Sequence, residues 1–373
     1  MSISHYRAVL TTVGPVFIGN GNEIKKFEYV YDRRTGIVYV IDTIKMFELL
    51  SKIQQLDRFE VHIGKNLNLS EFFDKIGLQP PQYRTISKYS YKAGEDPRNQ
   101  NIKEFIKNAY GQPYIPGSSL KGAVRTAIIH SMIQNGDKQM IRASDDVFRE
   151  VCNMERTSDK REKTRIRNNI GRIADRLERD CLNTLKLDVK HETSAVNSIM
   201  RGLRISDSEP LTVDRLCLCK KLDVSQNGEK PLNLLRECIM PETQVCFDLD
   251  IDSKNFPYDK KYLNDSFDLH YDIQEWQMSQ FSKFPTYKPS KAEHCLVLSG
   301  GSGYVSKTFT HLLMGEDDDK DLKTVSQILS SQFIKHGHQN DIRQGVSPHI
   351  RKMTTVDKRY CDFGICRIEF QGR

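Results

Sequence analysis

The stretch Pro113–Ile128 concentrates residues that do chemistry on anions. Pro116-Gly117 makes a turn. Ser118, Ser119, Lys121 and Arg125 follow at the start of a helical pattern. Either serine is placed to cap that helix by accepting a backbone N–H. Leu120, Val124, Ala127 and Ile128 supply the apolar stripe, and Lys121 and Arg125 stand one helical turn apart beside it. Free N–H groups, two hydroxyls and a lysine at a helix N-terminus favour a phosphate or other anion. The plainer alternative is a capped helix with solvated cations. A second group is Gly300, Gly301, Gly303 and Lys307. It nearly matches the phosphate-cradling G-x-x-x-x-G-K-[ST] loop, but Ser306 stands where the second glycine belongs. A backbone-amide loop beside Lys307 fits better than nucleotide hydrolysis. A third group, Asn20, Gly21 and Asn22, sits in a glycine-rich loop after the first strand pattern.

The residues expected of a catalyst are sparse. His5 and His130 lie near these motifs and read as structural. The loop after the first strand carries Asn22, Glu23 and Glu28 but no Asp. The chain has nine cysteines, and only Cys217-x-Cys219 stands close to a metal-ligand spacing, with no second pair to complete it. No metal and no cofactor is expected. Tyr29, Tyr31 and Tyr39 lie on a hairpin. Tyr83, Tyr89 and Tyr91 alternate with Arg84, Lys88 and Lys92, a pattern that suits either base stacking or an ordinary sheet.

These groups need a scaffold. The chain has 373 residues, 56 Lys plus Arg and 49 Asp plus Glu, for a formal charge of +7. That mild excess permits an acidic partner such as nucleic acid. No apolar run approaches about 18 residues, and no secretory signal opens the chain, so a cytoplasmic, non-membrane protein is expected. Period-two patterns predict strands over 5–18, 203–207, 244–252, 295–298 and 364–370, and a hairpin over 27–42. Period-3.6 patterns predict helices over 43–56, 69–76, 101–110 and 118–134. Residues 79–100 read as an extended surface connection. Residues 137–200 read as charged helices with a basic run from Arg156 to Arg179. Strands early, middle and late with helices between them indicate an α+β fold. The expected organisation is an N-terminal segment 1–136 with an insertion at about 44–112. A helical insertion at 137–200 and a C-terminal segment 201–373 complete it.

Four segments together resemble the RAMP superfamily of CRISPR RNA-binding proteins. Ile115–Arg125 (IPGSSLKGAVR) is similar to its hallmark motif. Gly14–Gly21 (GPVFIGNG), Gly202–Ser208 (GLRISDS) and Leu298–Thr308 (LSGGSGYVSKT) agree in order. Length, helical insert and glycine loop most resemble the fifth-subunit branch of the type III-A Csm effector complexes. The resemblance implies a ferredoxin-like (RRM-like) core with a long helical insertion and a degenerate second α+β half. It implies binding of the guide RNA (crRNA) near its 3′ end as a filament cap, and contact with the repeating Csm backbone subunits. Target RNA would be met only indirectly. It also implies a need for the chain in crRNA maturation, with trimming by recruited host nucleases and a prokaryotic cytoplasm as the setting. The catalytic backbone relative cuts with an Asp after its first strand. Its lack here points to a non-catalytic chain, the alternative being a metal-independent endoribonuclease that processes crRNA.

Overall fold

Apolar residues at every second position put Val245, Phe247, Leu249 and Ile251 on one face of a strand, and all four are buried. That strand lies inside a sheet assembled from distant parts of the chain. The computed structural model describes residues 3–97, 100–136, 138–284, 293–315 and 318–372. In chain order it begins with β1 (Ile3–Thr12), the exposed strand β2 (Gly19–Ile24) and the hairpin β3 (Tyr29–Asp32) and β4 (Ile37–Ile41). Short helices α1 (Thr43–Lys52), α2 (Leu56–Gly64), α3 (Leu69–Lys75) and α4 (Pro80–Ile86) follow. Strands β5 (Ser87–Ala93) and β6 (Ile102–Phe105) lead to α5 (Gly117–Gln134) and the charged pair α6 (Lys138–Arg156) and α7 (Lys160–Leu182). Next come β7 (Leu203–Ile205), β8 (Leu216–Ser225), β9 (Gly228–Ile239), β10 (Gln244–Asp252) and α8 (Lys260–Ser279). The remainder holds β11 (Cys295–Val297), α9 (Thr310–Met314), α10 (Asp318–Gln332), α11 (Asp341–Gln344), β12 (Arg351–Val356), β13 (Arg359–Asp362) and β14 (Ile365–Gly372).

The first sheet has the order β11-β14-β1-β10-β7, and every neighbouring pair is antiparallel. Helices α5 and α8 pack against each other, through Ser131 and Ser266 among other contacts. Taken as β1-α5-β7-β10-α8-β14 with the order β14-β1-β10-β7, this is the ferredoxin-like arrangement, extended at one edge by β11. The second sheet runs β2-β6-β9-β8-β5-β4-β3, with β12 joined to β8 and β13 to β12. It draws on three separate stretches of chain, and its pairs β5/β8 and β6/β9 are parallel. One apolar core joins the two sheets, from Ala8 and Leu10 to Ile102, Phe105 and Cys219. Helices α1–α4 close a smaller core of Phe59, Phe72, Phe73 and Tyr83 over Val30, Tyr39 and Ile41 of the hairpin. No described helix is long and apolar enough to cross a membrane.

The structure corrects three local expectations. Residues 79–100 do not form a plain extended connection, because they fold as α4 and β5. Residues 101–110 are not a helix. Ile102 and Phe105 are both buried in β6, whose backbone pairs with β2 and β9. Asn20, Gly21 and Asn22 lie on the exposed edge strand β2 rather than in a loop. The tyrosines are also mostly committed to packing. Tyr29, Tyr39, Tyr83 and Tyr91 are buried, so they offer no face for base stacking.

His130 is structural, as its place on the α5 stripe suggests. It stacks on His270 of α8, with ring centres 5.0 Å apart and Nδ1 atoms at 3.2 Å. Its Nε2 meets the Thr308 carbonyl at 3.1 Å. Burial pushes His130 down to about 4 and His270 down to about 3. Both rings are therefore neutral in the fold, whereas an unfolded histidine protonates below about 6.5. The unfolded state gains protons first, so this pair's stability is complete above about pH 6.5 and is lost as pH falls. The free energy of unfolding from denaturant titration should drop by roughly 3 kcal/mol or more between pH 6.5 and 4. His270→Gln should flatten that slope, and an unchanged slope would refute the assignment.

Candidate nucleic-acid interface

Two of the sequence motifs meet at the start of α5. The Ile115 N–H donates to Ser208 Oγ at 2.9 Å, and the Ser208 N–H donates back to the Ile115 carbonyl at 2.9 Å. The Gly117 N–H donates to Asp207 Oδ1 at 2.8 Å. A Cβ on Gly117 would lie 2.3 Å from the Ser206 carbonyl oxygen and 2.4 Å from that of Ile205. Glycine is thus required by the close approach of helix to strand. This corrects the capping assignment. Pro116 occupies the cap position, no side chain caps the helix from there, and Asp207 fills the place reserved for an anion. Ser118 is exposed and Ser119 half-buried, and neither hydroxyl serves as the cap.

The cations of α5 face sideways instead. Lys121 and Arg125 line a cleft of about 440 Å³ with Glu178 and Arg179 of α7 and Arg201 before β7. Arg125 pairs with Glu178. Lys121 has no hydrogen-bond or ion-pair partner among the described residues, and partial burial lowers its ammonium pKa. Arg201 donates to the Val196 carbonyl at 3.3 Å and keeps other donors for a ligand. Four cations therefore share this cleft with one carboxylate.

The glycine loop makes a second basic place. The Gly300 N–H donates to the Phe17 carbonyl at 2.7 Å, and Ser299 Oγ accepts from the Phe17 N–H at 3.0 Å. The Gly300 carbonyl accepts from the buried Arg236 at 3.1 Å. That guanidinium lies over the rings of Phe17 and Phe363, at 4.9 and 5.4 Å. Gly301 has φ +85°, and a Cβ there would stand 2.2 Å from Arg236 Nη1. Lys307 reaches solvent, yet desolvation and then Arg236 lower its pKa. Lys352 of β12 passes under Gly303 and pairs with Asp223 at 2.8 Å. Lys221 is pushed down to about 8, first by burial and then by Lys352. Cations crowd one loop here, and among the described residues Lys221 and Lys352 share one carboxylate, Asp223. The loop does not have the form of a P-loop: Ser306 is buried on Ser302, and the turn over Val305–Lys307 precedes a helix of five residues.

Phe17, which bonds the glycine loop at Ser299 and Gly300, stands three residues before Asn20 in the chain. Among the described residues, no hydrogen bond or ion pair links the glycine loop or the Asn20–Asn22 strand to Lys121 or Arg125. Asn20 donates to Glu104 at 2.8 Å and accepts from the Asn22 N–H at 2.8 Å, while Gly21 stands open to solvent with φ +91°. Arg179 belongs to the basic run that marks α7 in the sequence. Arg201, Arg236, Lys221 and Lys352 carry no comparable signal: strand pairing gathers the last three, and Arg201 lies in the turn before β7.

The RAMP superfamily's family model matches residues 9–330. The chain belongs to the RAMP superfamily. Curated relatives of this RAMP protein include the CRISPR system Cms protein Csm5 of Mycobacterium tuberculosis (strain H37Rv), 24% identical over 402 residues. That match spans 98% of this chain and 97% of the relative. The protein of the same name from Streptococcus thermophilus is 24% identical over 318 residues, 81% of this chain and 79% of the relative. Among solved structures, a chain of the cryo-EM Csm-crRNA-target RNA ternary complex of a type III-A CRISPR-Cas system aligns with a TM-score of 0.66. It has 20% identity, and the match covers 98% of this chain and 100% of that one. The crystal structure of T. onnurineus Csm5 aligns with a TM-score of 0.63 at 20% identity, covering 96% and 99%. At that identity the structures establish a shared fold.

Glu23 and Glu28, the glutamates that follow the first strand, are both engaged within this RAMP protein. Glu23 lies against Lys25, Asn101 and Lys103, and those hydrogen bonds, Lys25 first, hold it below the usual carboxylate range. Glu28 accepts from the Lys25 N–H at 2.7 Å.

Proposed function

We propose that this RAMP protein is a non-catalytic, RNA-binding subunit of a type III-A CRISPR effector ribonucleoprotein. In this reading it caps the filament near the 3′ end of the crRNA, contacts the repeating backbone subunits and meets target RNA only through the assembly. It is needed for crRNA maturation in the prokaryotic cytoplasm, with recruited host nucleases doing the trimming. The observation that carries the reading is the crowd of Lys307, Lys352 and Lys221, with the buried Arg236 beneath them, around a half-buried glycine loop. Like charges gathered in this way favour a polyanion. The cleft at Lys121, Arg125, Arg179 and Arg201 adds a second phosphate-sized place. Ser118, Ser119 and the exposed Asn20–Asn22 edge are assigned to the rim of the RNA path. The names of the relatives and of the aligned complex support the same assembly. Engagement of Glu23 and Glu28 supports the non-catalytic role over the endoribonuclease alternative.

Phosphate contacts give affinity that depends on salt and little on sequence. The test measures binding of labelled single-stranded crRNA at several salt concentrations. The double variant Lys121→Glu/Arg201→Glu should bind more weakly, with the slope of log K against log salt reduced by about 1.4 for two lost contacts. Unchanged affinity and slope, with a normal melting curve, would remove that cleft from the RNA path. Co-purification from the native host tests the assembly itself. Short guide RNAs and companion subunits should come down with the chain. Isolation free of both would refute the reading.

A further inference from the structure

Asp341 begins α11, in the loop between α10 and β12, and it is wholly buried. Its carboxylate accepts from Ser347 Oγ at 2.7 Å and faces Nδ1 of His338 at 3.0 Å and Nδ1 of His349. Both imidazoles are themselves largely buried, with side-chain exposures of 9% and 12%. No lysine or arginine pairs with Asp341 among the described residues. Buried charges in proteins are paired with opposite charge or bind metals. One ligand atom from each of His338, Asp341 and His349 lies within 4.8 Å of the others.

We propose that His338, Asp341 and His349 bind a divalent transition-metal ion, and that the ion is zinc. Two imidazole nitrogens and one carboxylate oxygen are a borderline donor set that suits zinc and leaves a fourth position for water. Ligand atoms on a tetrahedral zinc stand about 3.3 Å apart, and those of the trio already lie within 4.8 Å of one another, so rotamer shifts of up to about 1.5 Å bring them to an ion. Each imidazole then turns its Nδ1 lone pair to the ion and carries its proton on Nε2. The ligands are local in sequence, with two and then seven residues between them. Ser326 Oγ on α10 fixes the His338 carbonyl at 2.8 Å. Strand β12 begins two residues after His349 and carries Lys352 under the glycine loop. The ion therefore staples the approach of that lysine. This proposal does not depend on the RNA reading.

The test uses tag-free, full-length protein, stripped with a chelator, reloaded with zinc chloride and desalted. Mass spectrometry should find about one zinc per chain. Cobalt(II) in its place should give visible absorption bands. The double variant His338→Gln/His349→Gln should lose the bands and retain about ten-fold less zinc. A wild-type chain that retains no zinc overturns the proposal, and so does a folded double variant that retains as much. If the double variant does not fold, wild-type melting decides. A Tm raised by zinc and not by magnesium supports the site, and no rise with zinc overturns it.

Discussion

Glu237→Ala is expected to lower the free energy of unfolding by about 3–5 kcal/mol. Glu237 is fully buried on β9 and serves three donors. Lys107 Nζ lies at 2.6 Å, the Tyr89 hydroxyl donates at 2.9 Å and the Phe105 N–H donates at 3.0 Å. Lys107 is itself nearly buried and also lies over the Tyr89 ring at 4.6 Å. Removing the carboxylate leaves the ammonium with Glu104 at 3.3 Å, and leaves a hydroxyl and an amide with no acceptor. An unmade buried hydrogen bond costs about 1–3 kcal/mol, and an unpaired buried charge costs more. The effect should reach the fold as a whole, because this network ties β6, β9 and, through Tyr89, β5 of the second sheet together. Equilibrium denaturation checks it, and a loss under about 1 kcal/mol, the scale of an exposed pair, would show the network to be decorative. The double variant Glu237→Leu/Lys107→Met should recover part of the loss, since it removes both charges together.

Gly117→Ala is expected to cost about 3 kcal/mol or more, because the atoms it strikes are backbone and cannot rotate aside. The new methyl would meet the Ser206 carbonyl oxygen at 2.3 Å and that of Ile205 at 2.4 Å. Helix α5 would have to back away from β7 and give up the Asp207 bond that seats its first N–H. Lys121 sits one turn along and would move with it, so RNA affinity should fall together with stability. Gly122→Ala is the matched control. It lies in the same helix with nothing within 4 Å of the new Cβ, and should be neutral or stabilising by up to about 1 kcal/mol. Similar melting curves for the two variants would show that the close approach is not limiting.

Much of the core could be read from periodicity. The alternation over 244–252 and the stripe Leu120, Val124, Ala127 and Ile128 reappear unchanged as β10 and the buried side of α5. The failures share one cause. Ile102 and Phe105 are spaced as on a helix, and only their pairing with β2 and β9, about 80 and 130 residues away along the chain, makes them a strand. Ser118 and Ser119 have the right chemistry for a cap, but a carboxylate 90 residues downstream reaches Gly117 first. Lys121, Arg125, Gly301 and Lys307 stand out by motif. Their neighbours Arg201, Arg236 and Lys352 do not, since a lone cation in a turn or on a strand looks the same whether it is solvated or gathered into a site. The spacing of His338, Asp341 and His349 was legible in principle, being local, but burial is what gives that trio meaning.

Strand β1 has β14 on one side and β10 on the other, so Ala8 faces Phe370 across one ladder and Phe247 across the next. The centre of the first sheet is thus closed by residues from opposite ends of the described chain. During synthesis β1 emerges early and waits, one hydrogen-bonding edge bare, until residues 365–372 leave the ribosome. Contacts of such long sequence separation form slowly, and a bare strand edge is the surface on which nascent chains aggregate. The second sheet waits less, since its run β2-β6-β9-β8-β5-β4-β3 is complete by residue 239 and only β12 and β13 join it later. The interval between those two events is therefore when β1 is open to strand pairing with another chain.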